Sequence, residues 1–151
     1  MSKAFTNEDT PIPDDAEALP PRATPLPITP AGLARLQREL AALTRDRGSE
    51  LGQRRARVIA QALASIYVLE PSAPDGRVAF GARVTVEDLK GDTIAYEIVG
   101  PDEVDVAAGR ISIASPVGRA LLGKRAGNVV VLRRPKGDVE VTVTSVTLPA
   151  A

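Results

Sequence analysis

Carboxylates, arginines and one capped serine are the groups through which this sequence could do chemistry. It holds no cysteine and no histidine. Disulfides, thiolate zinc sites, Ser-His and Cys-His nucleophile pairs and imidazole acid-base catalysis are therefore excluded. Asp102, Glu103 and Asp105 lie close together in sequence and read either as an acidic cluster facing a basic partner or as a charged loop. Asp46 and Glu50 form a second acidic pair, but Arg45, Arg47, Arg54 and Arg55 crowd it. Those cations form ion pairs with the carboxylates and compete with a metal, so the pair reads as solvated helix-end charge. Neither a metal nor a cofactor is expected. Ser115-Pro116 is a helix-opening signal whose first N–H groups offer an acceptor site to a partner side chain. The glycine spacings do not follow the phosphate-loop pattern, so nucleotide hydrolysis has no support.

Composition narrows the field further. The 151 residues hold 19 basic and 19 acidic side chains, with no net charge, which argues against a general polyanion binder. The four aromatics, Phe5, Tyr67, Phe80 and Tyr96, cannot furnish stacking platforms for single-stranded nucleic acid. Apolar runs stay well short of the roughly 18 residues a membrane helix needs. The opening MSKAFTNEDT lacks the basic-then-apolar shape of a signal peptide. The expectation is a soluble, cytoplasmic chain with no membrane partner.

The elements that must position these groups fall into three segments. Residues 1–27 hold six of the 13 prolines, with Glu8, Asp9, Asp14, Asp15 and Glu17 against Lys3 and Arg22. Such a composition reads as a flexible, proline-rich acidic arm. Residues 28–70 read as a helical hairpin. Thr29-Pro30 opens the first helix, and Leu33, Leu36, Leu40 and Leu43 recur along it as an apolar seam. Gly48-Ser49 breaks the pattern, Ser49 caps a second helix, and Ile59, Leu63 and Ile66 carry its seam toward Pro71. The long polar faces favour a projecting antiparallel pair over two ordinary core helices.

Residues 71–151 form the third segment, in which period two takes over. Val84 and Val86, then Ile94, Tyr96 and Ile98, then Val129 and Val131, then Val139, Val141 and Val143 alternate with polar positions, with turns at Lys90-Gly91-Asp92 and Lys136-Gly137-Asp138. A short helix interrupts them, capped by Ser115, opened by Pro116, carrying Leu121 and Leu122 and closed by Gly123. The fold class is α+β: a short antiparallel helical hairpin followed by an antiparallel sheet with one short helix.

Two stretches carry a family resemblance. ITPAGLARLQRELAAL resembles the opening of the bacterial Gre transcript-cleavage factors, with a threonine and a glycine ahead of a Leu-x-x-Glu-Leu run. YEIVGPDEVD followed by ISIASPVGRALLGKRAGNVVVL resembles the Gre carboxy-terminal domain. The resemblance covers residues 28–148 and implies an amino-terminal coiled coil and a globular domain of FKBP-like fold. It also implies docking on RNA polymerase at the rim of the secondary channel, with no sequence-specific nucleic-acid contact. In the family the coiled coil enters that channel, and acidic residues at its tip help hold the catalytic Mg²⁺ with which the polymerase hydrolyses backtracked RNA.

The chain departs from the family at the tip. The Gly-Asp-x-x-Glu-Asn-Ala-like motif is missing, and the first helix, from about Pro30 to Asp46, is only roughly 25 Å long. The tip carries Arg45, Asp46, Arg47, Glu50, Arg54 and Arg55, a basic surround that implies no transcript cleavage and no enzymatic activity. Some relatives with shortened coiled coils, such as the regulator of nucleoside diphosphate kinase, share this architecture. Ser115 and Pro116 match the docking loop of the family, with Ala114 where cleavage factors often carry an acid, and Asp102 and Glu103 are further docking candidates. The expected function is regulation of transcription elongation; an active cleavage factor and a module for a non-polymerase partner are the alternatives. Prolyl isomerase activity lacks the aromatic walls it would need, since the globular segment has only Phe80 and Tyr96.

Overall fold

The computed structural model describes residues 22–45 and 48–149. Residues 1–21 of the expected arm, and Asp46 and Arg47 of the expected tip, lie outside the described residues. The chain divides into two compact units. Of the described residues, one comprises 22–24 and 36–65; the other comprises 25–35 and 66–149.

In the first unit, α1 (Pro30–Arg45) contributes its part from Leu36, and α2 (Glu50–Leu63) follows. Leu36 and Ile59 are buried, and Leu40, Leu43 and Leu63 are half-buried, as a narrow two-helix seam requires. Ser49 caps α2, its hydroxyl accepting from the Gly52 N–H at 2.8 Å. The other end of α2 is closed by Arg22. Its backbone N–H donates to the Ser65 hydroxyl at 2.7 Å, and its Nη2 donates to the carbonyls of Ala62 and Ser65 at 3.2 and 3.3 Å. A guanidinium at a helix carboxyl end satisfies orphan carbonyls and opposes the negative pole of the helix.

The seam spacing places Ile66 on α2, but the helix stops at Leu63 and Ile66 opens β2 (Ile66–Val68). The run Ile66-Tyr67-Val68 favours extended backbone, and a partner strand is present to receive it. That partner is β1 (Leu26–Ile28), paired in parallel with Leu26 opposite Ile66 and Ile28 opposite Val68. Leu26 and Pro27, which composition assigns to a flexible arm, therefore belong to a strand.

The second unit is built on a five-stranded sheet of order β5-β4-β3-β7-β6. Its strands are β3 (Arg83–Asp88), β4 (Thr93–Val99), β5 (Arg110–Ser112), β6 (Val129–Leu132) and β7 (Val139–Thr147), with α3 (Pro116–Leu121) after β5. Four of the strands are antiparallel as period two predicts, but β5 runs parallel to β4, so the sheet is mixed. The link from β4 to β5 passes through two 3₁₀ turns, Pro101–Glu103 and Val106–Ala108, and is long enough to return the chain in the same direction. Val84, Val86, Ile98, Leu121 and Val143 are fully buried in the core.

One strand is read a residue out of step. Val129 and Val131 of β6 point to solvent at 58% and 51% exposure, while Val130 and Leu132 enter the core. The segment Val129–Leu132 is apolar throughout, so sequence alternation cannot select its inner face; pairing of Val130 with Val141 does.

Candidate functional site

The residues proposed for docking flank β5, an edge strand of the sheet. Downstream of it, the Ser115 hydroxyl accepts from the Gly118 N–H at 3.0 Å and donates to the Ser112 carbonyl at 2.7 Å. The Arg119 side chain closes the same turn from Nε to the Ala114 carbonyl at 2.8 Å. Ser115 is thus the cap that composition predicts, and its hydroxyl is committed as both donor and acceptor. What this turn presents outward is Ala114 and the ring of Pro116, both exposed.

Upstream of β5 the acidic trio separates into three roles. Asp102 is half-buried on the first 3₁₀ turn. Asp105 is exposed, accepts from the Ala108 N–H at 3.3 Å and pairs with Arg110 at 3.1 Å. Glu103 is no surface group at all: its side chain is fully buried. Its Oε2 accepts from the backbone N–H groups of Thr29 and Gly100, at 2.9 and 3.0 Å. Its Oε1 accepts from the Thr29 hydroxyl and lies 3.7 Å from the Arg35 guanidinium. That burial removes Glu103 from the docking candidates. Exposed in its neighbourhood in the chain are Val104, at 45%, and Val106, at 77%, two apolar side chains that a search for charged and polar groups passes over.

Thr29 serves two ends at once. Its hydroxyl oxygen also accepts from the Gly32 N–H at 3.0 Å, which is the cap of α1. The approach is close enough to demand glycine twice. A Cβ on Gly32 would stand 2.0 Å from Glu103 Oε1, and one on Gly100 would stand 1.9 Å from the Pro27 carbonyl oxygen. The sequence marks Thr29 as a cap but contains no local signal that its partner lies at Glu103.

At the hairpin end, Arg45 is exposed in the last turn of α1 and Glu50 is 81% exposed in the first turn of α2. Each charge suits its helix pole. Arg54 lies 3.7 Å from Glu50, as expected of neighbouring cations. Arg55 is no tip residue. It reaches across to α1 and grips Glu39 through Nε–Oε2 at 2.8 Å and Nη2–Oε1 at 3.0 Å. Hydrogen bonding from Arg55 outweighs the partial burial of Glu39 and, with the arginine charge, holds its carboxyl below the usual glutamate range. Among the described residues no three acidic groups gather as a metal site, and no helix is long and apolar enough to cross a membrane.

Comparison with known proteins locates these features in a lineage. Residues 73–148 match the family model described as transcription elongation factor, GreA/GreB, C-term, a stretch containing both flanks of β5. The transcription elongation factor GreA of Ralstonia nicotianae is 45% identical over 56% of this chain, a match spanning about half of that relative, 55%. GreB of Pseudomonas aeruginosa is 37% identical, over 87% of this chain and 96% of its own length. Among solved structures, GreA factor homolog 1 of Thermus thermophilus matches at 29% identity and a TM-score of 0.44, over 81% of this chain and 98% of that one. With the domain model spanning its sheet and an elongation factor aligned over 87% of it, this chain belongs to the GreA/GreB family of transcription elongation factors.

Proposed function

We propose that this protein docks on RNA polymerase at the rim of the secondary channel, regulates elongation there and does not stimulate transcript cleavage. The observation that carries the reading is the charge at the hairpin end. Cleavage by the family's mechanism asks acidic tip residues to help hold a Mg²⁺, and hard cations take clusters of oxygen ligands. Here Glu50 stands 3.7 Å from the Arg54 guanidinium, with Arg45 at the end of α1. Among the described residues Glu50 has Arg54 beside it and no acidic cluster around it, so they do not fit the metal. Length supports the same reading. The 16 residues of α1 span about 24 Å, short of the family's arm.

The protein acts on this reading as an accessory factor in the cytoplasm, with no catalytic residue of its own. Docking falls to the turns beside β5, through Pro116, Val104 and Val106, with Asp102 at their edge and Ser115 holding the turn's shape. Arg45 and Arg54 then face the anionic groups of the channel, phosphates or carboxylates. The two aromatics of residues 71–151 serve packing: Phe80 is buried and Tyr96 lies against the core.

The test joins two measurements on purified core polymerase: binding of the full chain, and RNA cleavage in backtracked complexes with Mg²⁺. Binding without added cleavage is the expected result. Stimulated cleavage would overturn the argument from the tip, and absence of binding would overturn the polymerase partner and point to a different one.

A further inference from the structure

The net charge of zero conceals two opposed blocks. Residues 1–21 carry Glu8, Asp9, Asp14, Asp15 and Glu17 against Lys3. The hairpin from Leu36 to Ser65 carries six arginines against Glu39, Asp46 and Glu50. Glu39 and Glu50 are already engaged by Arg55 and Arg54. The surplus therefore rests on Arg38, Arg45 and Arg57, which enter no ion pair among the described residues. Arg38 and Arg45 are exposed and lie seven residues apart, on one face of α1.

The attachment point brings the two blocks within reach. Arg22, where the described chain begins, is hydrogen-bonded to Ala62 and Ser65 at the end of α2. The 21 residues before it can extend up to about 70 Å, whereas α2 with its 14 residues is about 21 Å long. A tether of that length places the acidic segment beside the helices at an effective concentration in the millimolar range.

We propose that residues 1–21 dock in cis on the outer face of α1 that carries Arg38 and Arg45, and compete there with anionic partners. The occupant is this chain's own acidic segment. Charge complementarity, the tether length and the anchored Arg22 single it out, and the interaction is a screened, reversible one.

The absence of cysteine makes the test direct: a nitroxide on Thr10→Cys in the full chain reports which amides the segment approaches. At low salt the amide signals of α1 around Arg38–Arg45 are expected to fall by about half. They should recover at 1 M salt, where the Debye length is about 3 Å. They should also recover when E8Q, D9N, D14N, D15N and E17Q neutralise the segment. The neutralised variant is further expected to bind heparin, used as a polyanion probe, about 3- to 10-fold more tightly. Signal loss that neutralisation leaves unchanged would overturn the proposal, as would equal heparin affinity. Loss seen only between spin-labelled and isotope-labelled molecules in a mixture would assign the face to a second copy and overturn docking in cis.

Discussion

The Glu103 carboxylate accepts from three donors inside the protein, two of them backbone N–H groups that nothing else satisfies in the described hydrogen bonding. Removing it strands those donors in a buried site and takes the acid away from the one-third exposed Arg35 side chain. Glu103→Ala is expected to destabilise by about 3–5 kcal/mol in urea denaturation, as for other broken buried charge networks. Thr29→Ala, which loses a cap and one of the three bonds, should cost about 1–2 kcal/mol. The two substitutions share one network, so their effects should fall short of additive; additivity, or a Glu103→Ala cost below about 1 kcal/mol, would contradict the arrangement. Sequence discloses half of this site. The Thr29 cap is a local signal, with hydroxyl, proline and glycine in four residues, whereas Glu103 is 74 residues away and sits between charged neighbours that make it look solvated. Charge patterning reads a loop's average, and one member of that loop turned inward.

At the scale of elements, the hairpin and the sheet answer to different forces. Glu39 and Arg55 join α1 to α2 through two parallel hydrogen bonds, at 42% and 47% side-chain exposure. The pair is open to solvent screening, so its contribution is at most about 1 kcal/mol. Its sign with pH is fixed: the folded carboxyl titrates below its unfolded value, so the stabilisation is present above the ordinary glutamate range and is lost as the pH falls through the folded value. Glu39→Gln should therefore lower the melting temperature at pH 7 and make little difference once the pH lies below the folded carboxyl's value. A gap that persists in acid would show that packing, rather than charge, sets the contribution. In the sheet, β6 gives the complementary test. Val131→Lys places a charge on the solvent face and should alter stability by less than about 0.5 kcal/mol. Val130→Lys buries an unpaired charge and should prevent cooperative folding. The opposite pattern would restore the register that simple alternation suggests. Period two was legible in β3, β4 and β7 because polar residues separate the apolar ones there; the unbroken apolar run of β6 offered no such contrast. The strands β1 and β2, three residues each, are too short for any periodicity to register.

For the molecule as a whole, the docking proposed for the exposed apolar side chains beside β5 can be separated from stability. Val106→Asp changes a residue 77% exposed, so on the proposed docking the melting temperature should hold while affinity for core polymerase falls at least about 5-fold. Ser115→Ala should lower both, because the hydroxyl shapes the turn from Ser112 to Gly118. Equal affinity for Val106→Asp and the unaltered chain would move the contact elsewhere. The pairing of β1 with β2 has a further consequence, in the language of polymers. Leu26 meets Ile66, so the two helices form a loop whose ends are tied by a short parallel ladder. The entropy of closing a loop grows only with the logarithm of its length, about 0.6 kcal/mol for each doubling. Whole turns of helix can thus be added to or removed from the hairpin while the ladder at its root scarcely registers the change. The length of the hairpin can then change without renegotiating the pairing of Leu26–Ile28 with Ile66–Val68.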